Sequence, residues 1–284
     1  MMKIFVTGVQ GALGHAVAGI LQSERVDYLG ADLPELDVTD FKKTHKTLCE
    51  YRPDVILHFA AVNDVDGCEK NRETALRVNS LSCLALATIA SNIGAKMLYT
   101  STNFVFDGNT KEPYSENSQP NPLNEYGRTK LLGEKHVQAV CPAHFIVRTS
   151  WLFSRRSKTY ISRFLTMREK PASINVIGDQ QASFTYVEHL ARAILDIIKT
   201  DNYGIFHVVN KGVGSWLDFA NRAREIMRFS TEIRPIKLQQ LNLLAKRPLY
   251  SPLTSTNYEA VASFKMPSWQ EALAHFIKDL SGEA

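Results

Sequence analysis

The sequence predicts an α/β protein: a doubly wound parallel sheet with a smaller C-terminal lobe. Short apolar runs alternate with segments of helical periodicity up to about residue 150, and beyond that point the alternation loosens. The first apolar run ends in a glycine-rich turn that leads directly into a helix-like segment. We therefore expect one domain over residues 1–150 and mainly a second lobe over residues 151–284, with some segments of the latter returning to the first domain.

The composition is that of an ordinary globular protein. Of the 284 residues, 44% are hydrophobic and 22% are charged, and no apolar run is long enough to span a bilayer. A net charge of +4 gives little support for nucleic-acid binding. Residues 1–7 run straight into a strand-like segment without the features of a secretory signal, so we expect a cytoplasmic protein that binds neither membrane nor nucleic acid. Four cysteines lack any ligand spacing and predict neither disulfide nor metal: Cys49, Cys68, Cys83 and Cys141.

The glycine-rich turn joins a strand over Lys3–Thr7 to a helix that continues through Leu21. Glycines at three-residue spacing permit the tight turn, the approach of a pyrophosphate to the backbone, and close packing of the helix. A second strand, Asp27–Ala31, ends at Asp32, where a carboxylate can accept hydrogen bonds from an adenosine ribose. This is a Rossmann-like dinucleotide site, although a glycine loop alone can also be merely structural. The residues expected to contact the dinucleotide are Gly8, Gln10, Gly11, Ala12, Leu13, Gly14, Asp32, Asp37, Ala60, Ala61 and Asn79.

The middle of the chain continues the alternation. We expect a helix over Phe41–Glu50, a strand over the near-continuous apolar run Val55–Phe59, a helix over Arg72–Ile93 and a strand over Lys96–Thr100. That last strand delivers Ser101, Thr102 and Asn103 to the carboxyl edge of the sheet, where doubly wound proteins bind ligands. The hydroxyls are candidates for an active site, and capping of a turn is the alternative.

Tyr126 and Lys130 lie four residues apart near the start of a helix that runs through Val137, after a loop over residues 107–124. This spacing places both side chains on one helical face. A neighbouring ammonium favours the phenolate, so we expect Lys130 to lower the pKa of Tyr126 into a range suited to proton transfer. A surface helix often carries both residues, but the glycine loop upstream favours a catalytic pair that also contacts the cofactor.

The second half of the sequence predicts shorter helices and strands. In chain order they are a strand over Phe145–Arg148, a helix over Tyr160–Arg168, a strand over Ile174–Ile177, a helix over Val187–Ile198, a strand over Ile205–Val209, and helices over Trp216–Arg228, Leu238–Leu244 and Trp269–Leu280.

Several of these motifs together resemble the extended short-chain dehydrogenases/reductases, and most closely the dTDP-4-dehydrorhamnose reductase family. The resemblance rests on the glycine loop, on Ser101-Thr102-Asn103-Phe104-Val105-Phe106-Asp107-Gly108 and on the segment Tyr126–Glu134. It extends through Arg148–Phe153, Asp179-Gln180, Arg247-Pro248 and Pro267–Leu273, and so covers nearly the whole chain.

The resemblance implies an enzyme that uses NADPH or NADH to reduce the C4 ketone of a dTDP-linked 4-keto-6-deoxy sugar. Tyr126 would donate a proton, Lys130 would bind the nicotinamide ribose and Thr102 would orient the carbonyl. Asn103, Trp151 and Arg247 would contact the substrate, Trp151 beside the sugar and Arg247 near the diphosphate. Core packing of Trp151 and a surface position for Arg247 remain the alternatives. Asp32 repels a 2′-phosphate, so NADH should be used at least as well as NADPH.

The chain departs from the family pattern on the substrate side. Asn103 stands where aspartate is common, and the segments 155–160 and 182–185 also differ, with Phe184 at a proline position. We therefore expect lower efficiency with the rhamnose precursor, or a related ketosugar as a second substrate. A regulatory subunit resembling the β subunit of methionine adenosyltransferase is the alternative from another class. Metal dependence and oligomeric state stay open, with a homodimer as one option.

Overall fold

The computed structural model describes residues 2–157, 159–167 and 169–281. The strands, in chain order, are β1 Lys3–Thr7, β2 Asp27–Ala31, β3 Val55–His58, β4 Lys96–Thr102, β5 His144–Thr149, β6 Leu152–Phe153, β7 Ser173–Ile177, β8 Gln181–Ala182, β9 Thr185–Tyr186, β10 Gly204–His207, β11 Glu232–Ile236 and β12 Tyr250–Ser251. The helices are α1 Ala12–Ser23, α2 Phe41–Tyr51, α3 Val65–Lys70, α4 Arg72–Leu76, α5 Ser82–Ile93, α6 Glu125–Val140, α7 Tyr160–Thr166, α8 Val187–Ile197, α9 Trp216–Met227, α10 Thr256–Val261 and α11 Trp269–Ser281.

Six strands form one parallel sheet in the order β2-β1-β3-β4-β5-β10. The chain starts at β1, adds β2 on one side, and then crosses β1 to build the rest of the sheet on the other. The order therefore reverses between β1 and β3, and in such sheets the crevice beyond that point is where ligands bind. The predicted α/β class with a doubly wound parallel sheet is confirmed.

Alternating residues of the central strands feed two separate cores, one on each face of the sheet. Ile4 and Val6 pack with residues of α1 and α8, whereas Phe5 between them packs with residues of α2 and α5. Because side chains alternate across a strand, a strand covered by helices on both faces is apolar at every position. This explains why Val55–His58 is buried throughout its length.

The predicted helix over Arg72–Ile93 is not continuous. A π-helical turn, Arg77–Leu81, separates α4 from α5. The turn inserts one extra residue per helical turn and carries the fully buried Asn79. Among the described residues, the stretch from α4 to α5 has the length and composition that could span a membrane, and half of its most apolar window is buried inside the protein.

Elements after residue 150 contribute to both parts of the molecule. Helix α8 packs on the central sheet and β10 extends it, whereas α7, α9 and α11 surround a third, aromatic-rich core. The short pairs β7–β11, β8–β12 and β6–β9 belong to this second part.

Four differences from the sequence-based expectations concern short or irregular elements. The strand predicted at Ile205–Val209 covers Gly204–His207. The helix predicted at Leu238–Leu244 is a single 3-10 turn, Leu238–Leu241, and β11 was not predicted because Pro235 interrupts its pattern. Helix α7 ends at Thr166, and Arg168, its predicted end, lies outside the described residues.

Candidate active site

A cleft of about 1260 Å³ opens at the carboxyl edge of the sheet, where the strand order reverses between β1 and β3. Its walls come from the glycine loop, the ends of β2 and β3, helix α4 with the π-helical turn, and the segment after β6. Eight of the predicted cofactor residues line it: Gly8, Gln10, Gly11, Ala12, Asp32, Asp37, Ala60 and Ala61.

The glycine loop is shaped to hold a diphosphate. Gly8 has φ +68°, and a Cβ there would lie 2.7 Å from the backbone nitrogen of Ala60, so only glycine lets the loop pack against the end of β3. A Cβ at Gly14 would lie 2.2 Å from the carbonyl oxygen of Gly8. Gly11 begins α1 without any side-chain cap, which leaves the first N–H groups of that helix directed at the cleft. A helix end of this kind binds phosphate oxygens, so the residues present fit a dinucleotide.

Two carboxylates lie at the β2 end of the cleft. The Asp32 carboxylate accepts hydrogen bonds from the backbone N–H groups of Gln10 (3.0 Å) and Leu33 (2.9 Å), which holds it beside the glycine loop. Asp37 accepts from the backbone and hydroxyl of Thr39, both at 2.8 Å. Each carboxylate keeps acceptor capacity for a ribose hydroxyl.

Two arginines that sequence reasoning missed line the same cleft. Arg77 projects from the π-helical turn and Arg156 from the segment after β6, and both side chains are exposed. Neither makes an ion pair with any residue that the structure describes. No local pattern marks them, because the two residues are far apart in sequence and only the fold brings both to the lining of one cleft.

Five predicted cofactor residues are not among those that line the cleft: Leu13, Gly14, Asn79, Tyr126 and Lys130. Leu13 is buried in the core between α1 and the sheet. Asn79 is fully buried, and its side-chain amide is bonded to the backbone N–H and carbonyl of Val62 (2.9 and 3.0 Å) and to the hydroxyl of Thr129 (3.2 Å). Asn79 thus ties the loop after β3 to α6 and supports the wall rather than lining it.

Thr102 and Tyr126 lie together at the carboxyl edge of the sheet. Thr102 ends β4, and its hydroxyl accepts the N–H of Phe104 (3.2 Å) in a 3-10 turn over Asn103–Val105. Tyr126 lies in the first turn of α6, whose N-terminus is capped by Asn124 through the N–H of Gly127 (2.8 Å). A Cβ at Gly127 would lie 2.1 Å from the carbonyl oxygen of Phe104, so glycine is needed for α6 to pack on this turn. Asparagine before a helix is a recognised cap signal that could have identified Asn124.

The ionisation of the pair differs from our expectation. Burial raises the pKa of Tyr126 to about 12, with the Thr102 side chain acting in the opposite direction. Burial lowers the pKa of Lys130 to about 8, and its Nζ lies 4.2 Å from the centre of the Tyr99 ring. The expectation that Lys130 lowers the pKa of Tyr126 is therefore wrong for this structure, because desolvation of the phenol dominates.

The predicted substrate residues are each engaged with protein groups. Asn103 is buried and donates to the hydroxyl of Ser251 (2.8 Å). Arg247 makes two contacts with the carboxylate of Asp66, at 2.9 and 3.3 Å, and this pairing lowers the pKa of Asp66. Trp151, half-buried with φ +39°, stacks on Trp216 at 4.6 Å between ring centres.

Phe184 lies beneath this indole pair. It is fully buried, with its ring 5.0 Å from Trp151 and 5.3 Å from Trp269. An aromatic ring at this position therefore fills the aromatic-rich core and packs against Trp151. Among the described residues, no group of three or more His, Cys, Asp or Glu side chains could hold a metal ion.

A buried proton donor beside a dinucleotide cleft is suited to carbonyl reduction, and the class defined by this combination on a doubly wound sheet is that of the extended short-chain dehydrogenases/reductases. Within this class, the chain belongs to the family described as RmlD substrate binding domain, which matches residues 2–281. The predicted family resemblance is confirmed.

Named relatives agree with this placement. The chain is 31% identical to the dTDP-4-dehydrorhamnose reductase of Escherichia coli K12, covering 94% of this chain and 91% of that one. A solved dTDP-4-dehydrorhamnose reductase from Clostridium acetobutylicum has 34% identity and a TM-score of 0.94, covering 99% and 100% of the two chains. The reductase from Bacillus anthracis, solved in complex with NADP, has 33% identity and a TM-score of 0.94 and covers 98% and 100%.

Proposed function

We propose that this protein is an NAD(P)H-dependent reductase of the C4 ketone of a nucleotide-linked 6-deoxy sugar, converting dTDP-4-dehydro-L-rhamnose to dTDP-L-rhamnose. The observation that carries the proposal is the close packing of the first turn of α6, which contains Tyr126, on the turn that follows Thr102, at the same edge of the sheet as the dinucleotide cleft. Family membership and relatives named as reductases of this sugar support the substrate.

In the proposed reaction the bound nicotinamide supplies a hydride to the carbonyl carbon. Tyr126, protonated throughout the physiological range because its pKa is about 12, donates its proton to the carbonyl oxygen as that oxygen gains charge. The Thr102 hydroxyl donates a second hydrogen bond to the same oxygen, where preorganised donors lower a barrier most. Lys130 would bind the nicotinamide ribose.

We propose that both coenzymes are accepted. Asp32 favours the 2′-hydroxyl of NADH and repels a 2′-phosphate. The cleft also presents the Arg77 and Arg156 guanidinium groups, which attract phosphate oxygens. The NADP complex of the Bacillus anthracis relative supports use of the phosphorylated coenzyme as well.

The substrate would lie between the sheet edge and the second part of the molecule. Trp151 would present one face of its indole to the sugar, and Arg247 would contact the nucleotide diphosphate. Because Asp66 already pairs with Arg247, the diphosphate must compete with a carboxylate for that guanidinium. The C-terminal part, residues 151–284, would thus serve mainly as the substrate-binding lobe. We also propose a cytoplasmic location and a role in surface polysaccharide synthesis.

The test is oxidation of NADH and NADPH with a panel of dTDP-, UDP- and GDP-linked 4-keto-6-deoxy sugars, with identification of the product. We expect turnover with dTDP-4-dehydrorhamnose and formation of dTDP-L-rhamnose. Absence of turnover with every sugar, from a folded protein that binds coenzyme, would contradict the proposal.

A second candidate is reduction of another 4-keto nucleotide sugar. Asn103 favours it, because a neutral amide bonded to Ser251 stands where the family commonly has a carboxylate. Asn103→Asp is the informative change here. Phe184→Pro is not, because Phe184 is buried in the aromatic core and its loss would destabilise the fold. A purely regulatory role is disfavoured by the assembled Thr102, Tyr126 and Lys130.

A further inference from the structure

A third charged residue lies on the same face of α6 as Tyr126 and Lys130. Glu134 follows Lys130 by four residues, as Lys130 follows Tyr126, so the three side chains form one row along the helix. Glu134 has a side-chain exposure of 1%. The role proposed above for α6 uses only the first two members of this row.

Glu134 is paired with Arg148 of β5, whose side-chain exposure is 2%. The Arg148 Nε donates to Glu134 Oε1 at 2.9 Å and Nη2 donates to Oε2 at 2.7 Å, a two-bond geometry that fixes both the distance and the angle between helix and strand. Ser101, the residue before Thr102, donates its hydroxyl to Glu134 Oε1. One carboxylate therefore ties α6 to β5 and to the end of β4 that carries Thr102.

Arg148 extends the network on its other side. Its Nη1 lies 3.5 Å from Nε2 of His207 on β10, and its guanidinium lies 5.2 Å from the centre of the Phe106 ring. His207 is buried, and burial, together with the smaller effect of the Arg148 charge, lowers its pKa to about 3, so the imidazole is neutral. Every partner of the guanidinium is thus buried and fixed in place.

A buried ion pair is costly to desolvate, and well-packed apolar residues often stabilise a fold equally well. The position of this pair, one helical turn from Lys130, suggests a different use. The Glu134 charge favours the ammonium form of Lys130 and opposes the effect of burial. The other groups near Lys130 are the thiols of Cys68 and Cys83, the ring of Tyr99, the phenol of Tyr126 and the neutral His58. Among these described groups, Glu134 is the one carboxylate.

We propose that Glu134 and Arg148 are positioning residues for the proposed reduction: their pair sets the register of α6 against β4 and β5, so that Tyr126 meets Thr102, and the Glu134 carboxylate keeps Lys130 charged. This inference rests on the proposed function for its catalytic part. Its electrostatic part concerns only Lys130 and the coenzyme, so it can be tested without a sugar.

The test is Glu134→Gln, which keeps the shape and removes the charge. We expect kcat to fall by about 10- to 100-fold with a smaller change in KM, as for loss of alignment at one proton donor. The alkaline limb of the pH profile, set by Lys130 with a pKa of about 8 in the parent protein, should move to lower pH. Coenzyme affinity, followed by NADH fluorescence from pH 6 to pH 10, should show the same shift.

Glu134→Asp separates the two roles, because it keeps the charge and shortens the side chain. We expect kcat to fall while the alkaline limb stays where it is. The double variant Glu134→Gln with Arg148→Gln should have a higher kcat than Glu134→Gln alone, because two amides can still pair. Its alkaline limb should stay at the lower pH of Glu134→Gln. If Glu134→Gln does not fold, Glu134→Asp and Ser101→Ala test the alignment, and the double variant tests the electrostatic part through the position of the alkaline limb.

Glu225→Gln is the matched control. Glu225 pairs with Arg222 on the exposed face of α9 at 2.8 Å, so the same chemical change is made at the surface, and kcat and the pH profile should not change. The inference would be overturned if Glu134→Gln folds and the alkaline limbs of its kcat and NADH-affinity profiles lie at the same pH as in the parent protein. If no sugar is reduced at all, the proposed function fails, and the NADH affinity profile still decides the electrostatic part.

Discussion

Tyr126 carries the proton-transfer step of the proposed reaction. Tyr126→Phe removes the donor without changing the shape of the site, so we expect turnover to fall at least ~100-fold while coenzyme still binds. Steady-state NADH oxidation together with coenzyme binding by fluorescence measures both. Tyr203→Phe, at a tyrosine that is 41% exposed, is the control and should behave as the parent protein. Near-normal turnover of Tyr126→Phe would show that Tyr126 is not the proton donor.

We propose that Asp32 and the two cleft arginines set the choice of coenzyme. Asp32→Ala removes the repulsion of a 2′-phosphate, so we expect the NADPH:NADH ratio of kcat/KM to rise by about tenfold, the scale of one lost charge contact. Arg77→Gln should change the ratio in the opposite direction if that guanidinium contacts the 2′-phosphate. A parent preference for NADPH that survives unchanged in Asp32→Ala would show that Asp32 does not control the choice.

At the scale of elements, the proposed catalysis requires α6 to pack closely on the turn that follows β4. Gly127→Ala would place a methyl group 2.1 Å from the Phe104 carbonyl oxygen, which forces the helix away from Thr102. We expect a loss of about 1–3 kcal/mol in the free energy of unfolding and a kcat reduced by at least ~10-fold. Thermal unfolding and steady-state kinetics measure the two effects.

Gly19→Ala is the matched control for that change. Gly19 lies on the exposed face of α1, and a Cβ there would have no neighbour within 4 Å. The substitution should raise the free energy of unfolding by about 0.5–1 kcal/mol, because alanine loses less backbone entropy in a helix. If the kcat of Gly127→Ala equals that of Gly19→Ala, the close approach of α6 is not needed for catalysis.

At the scale of the whole molecule, buried neutral histidines make stability depend on pH. His58 is bonded to Thr7 (2.7 Å) and Ser82 (3.1 Å), and burial lowers its pKa from 6.5 to about 3. The unfolded chain therefore binds this proton below pH 6.5 while the native protein does not, so the stabilisation is complete above pH 6.5 and is lost as the pH falls toward 3.

We expect His58→Gln to flatten this dependence. The difference in unfolding free energy between pH 7 and pH 5, measured by urea denaturation, should be about 2 kcal/mol smaller than in the parent protein. His15→Gln, at an exposed position on α1, should keep the parent dependence. An unchanged pH dependence in His58→Gln would mean that the imidazole of His58 has the same pKa in the native protein as in the unfolded chain.

The half of the site that binds the cofactor could be predicted because its signals are local. The turn from Gly8 to Gly14, the strand end at Asp32 and the spacing of Tyr126 and Lys130 each lie within one or two elements, where periods of two and 3.6 residues report the geometry directly. The same periods identified every long strand of the central sheet up to β5, together with α1, α2 and α6. The sequence by itself thus determined the fold class, the family and the shared helical face of Tyr126 and Lys130.

Only the tertiary structure decided what those side chains meet. The raised pKa of Tyr126, the pairing of Arg247 with Asp66 and the placement of Asn79 behind the cleft wall depend on contacts between residues far apart in sequence. The return of β10 to the sheet and the placement of both Arg77 and Arg156 on the lining of one cleft also depend on the tertiary structure. Burial and charge act through space, so a pattern within one element carries no record of the partner that will desolvate or neutralise a given group.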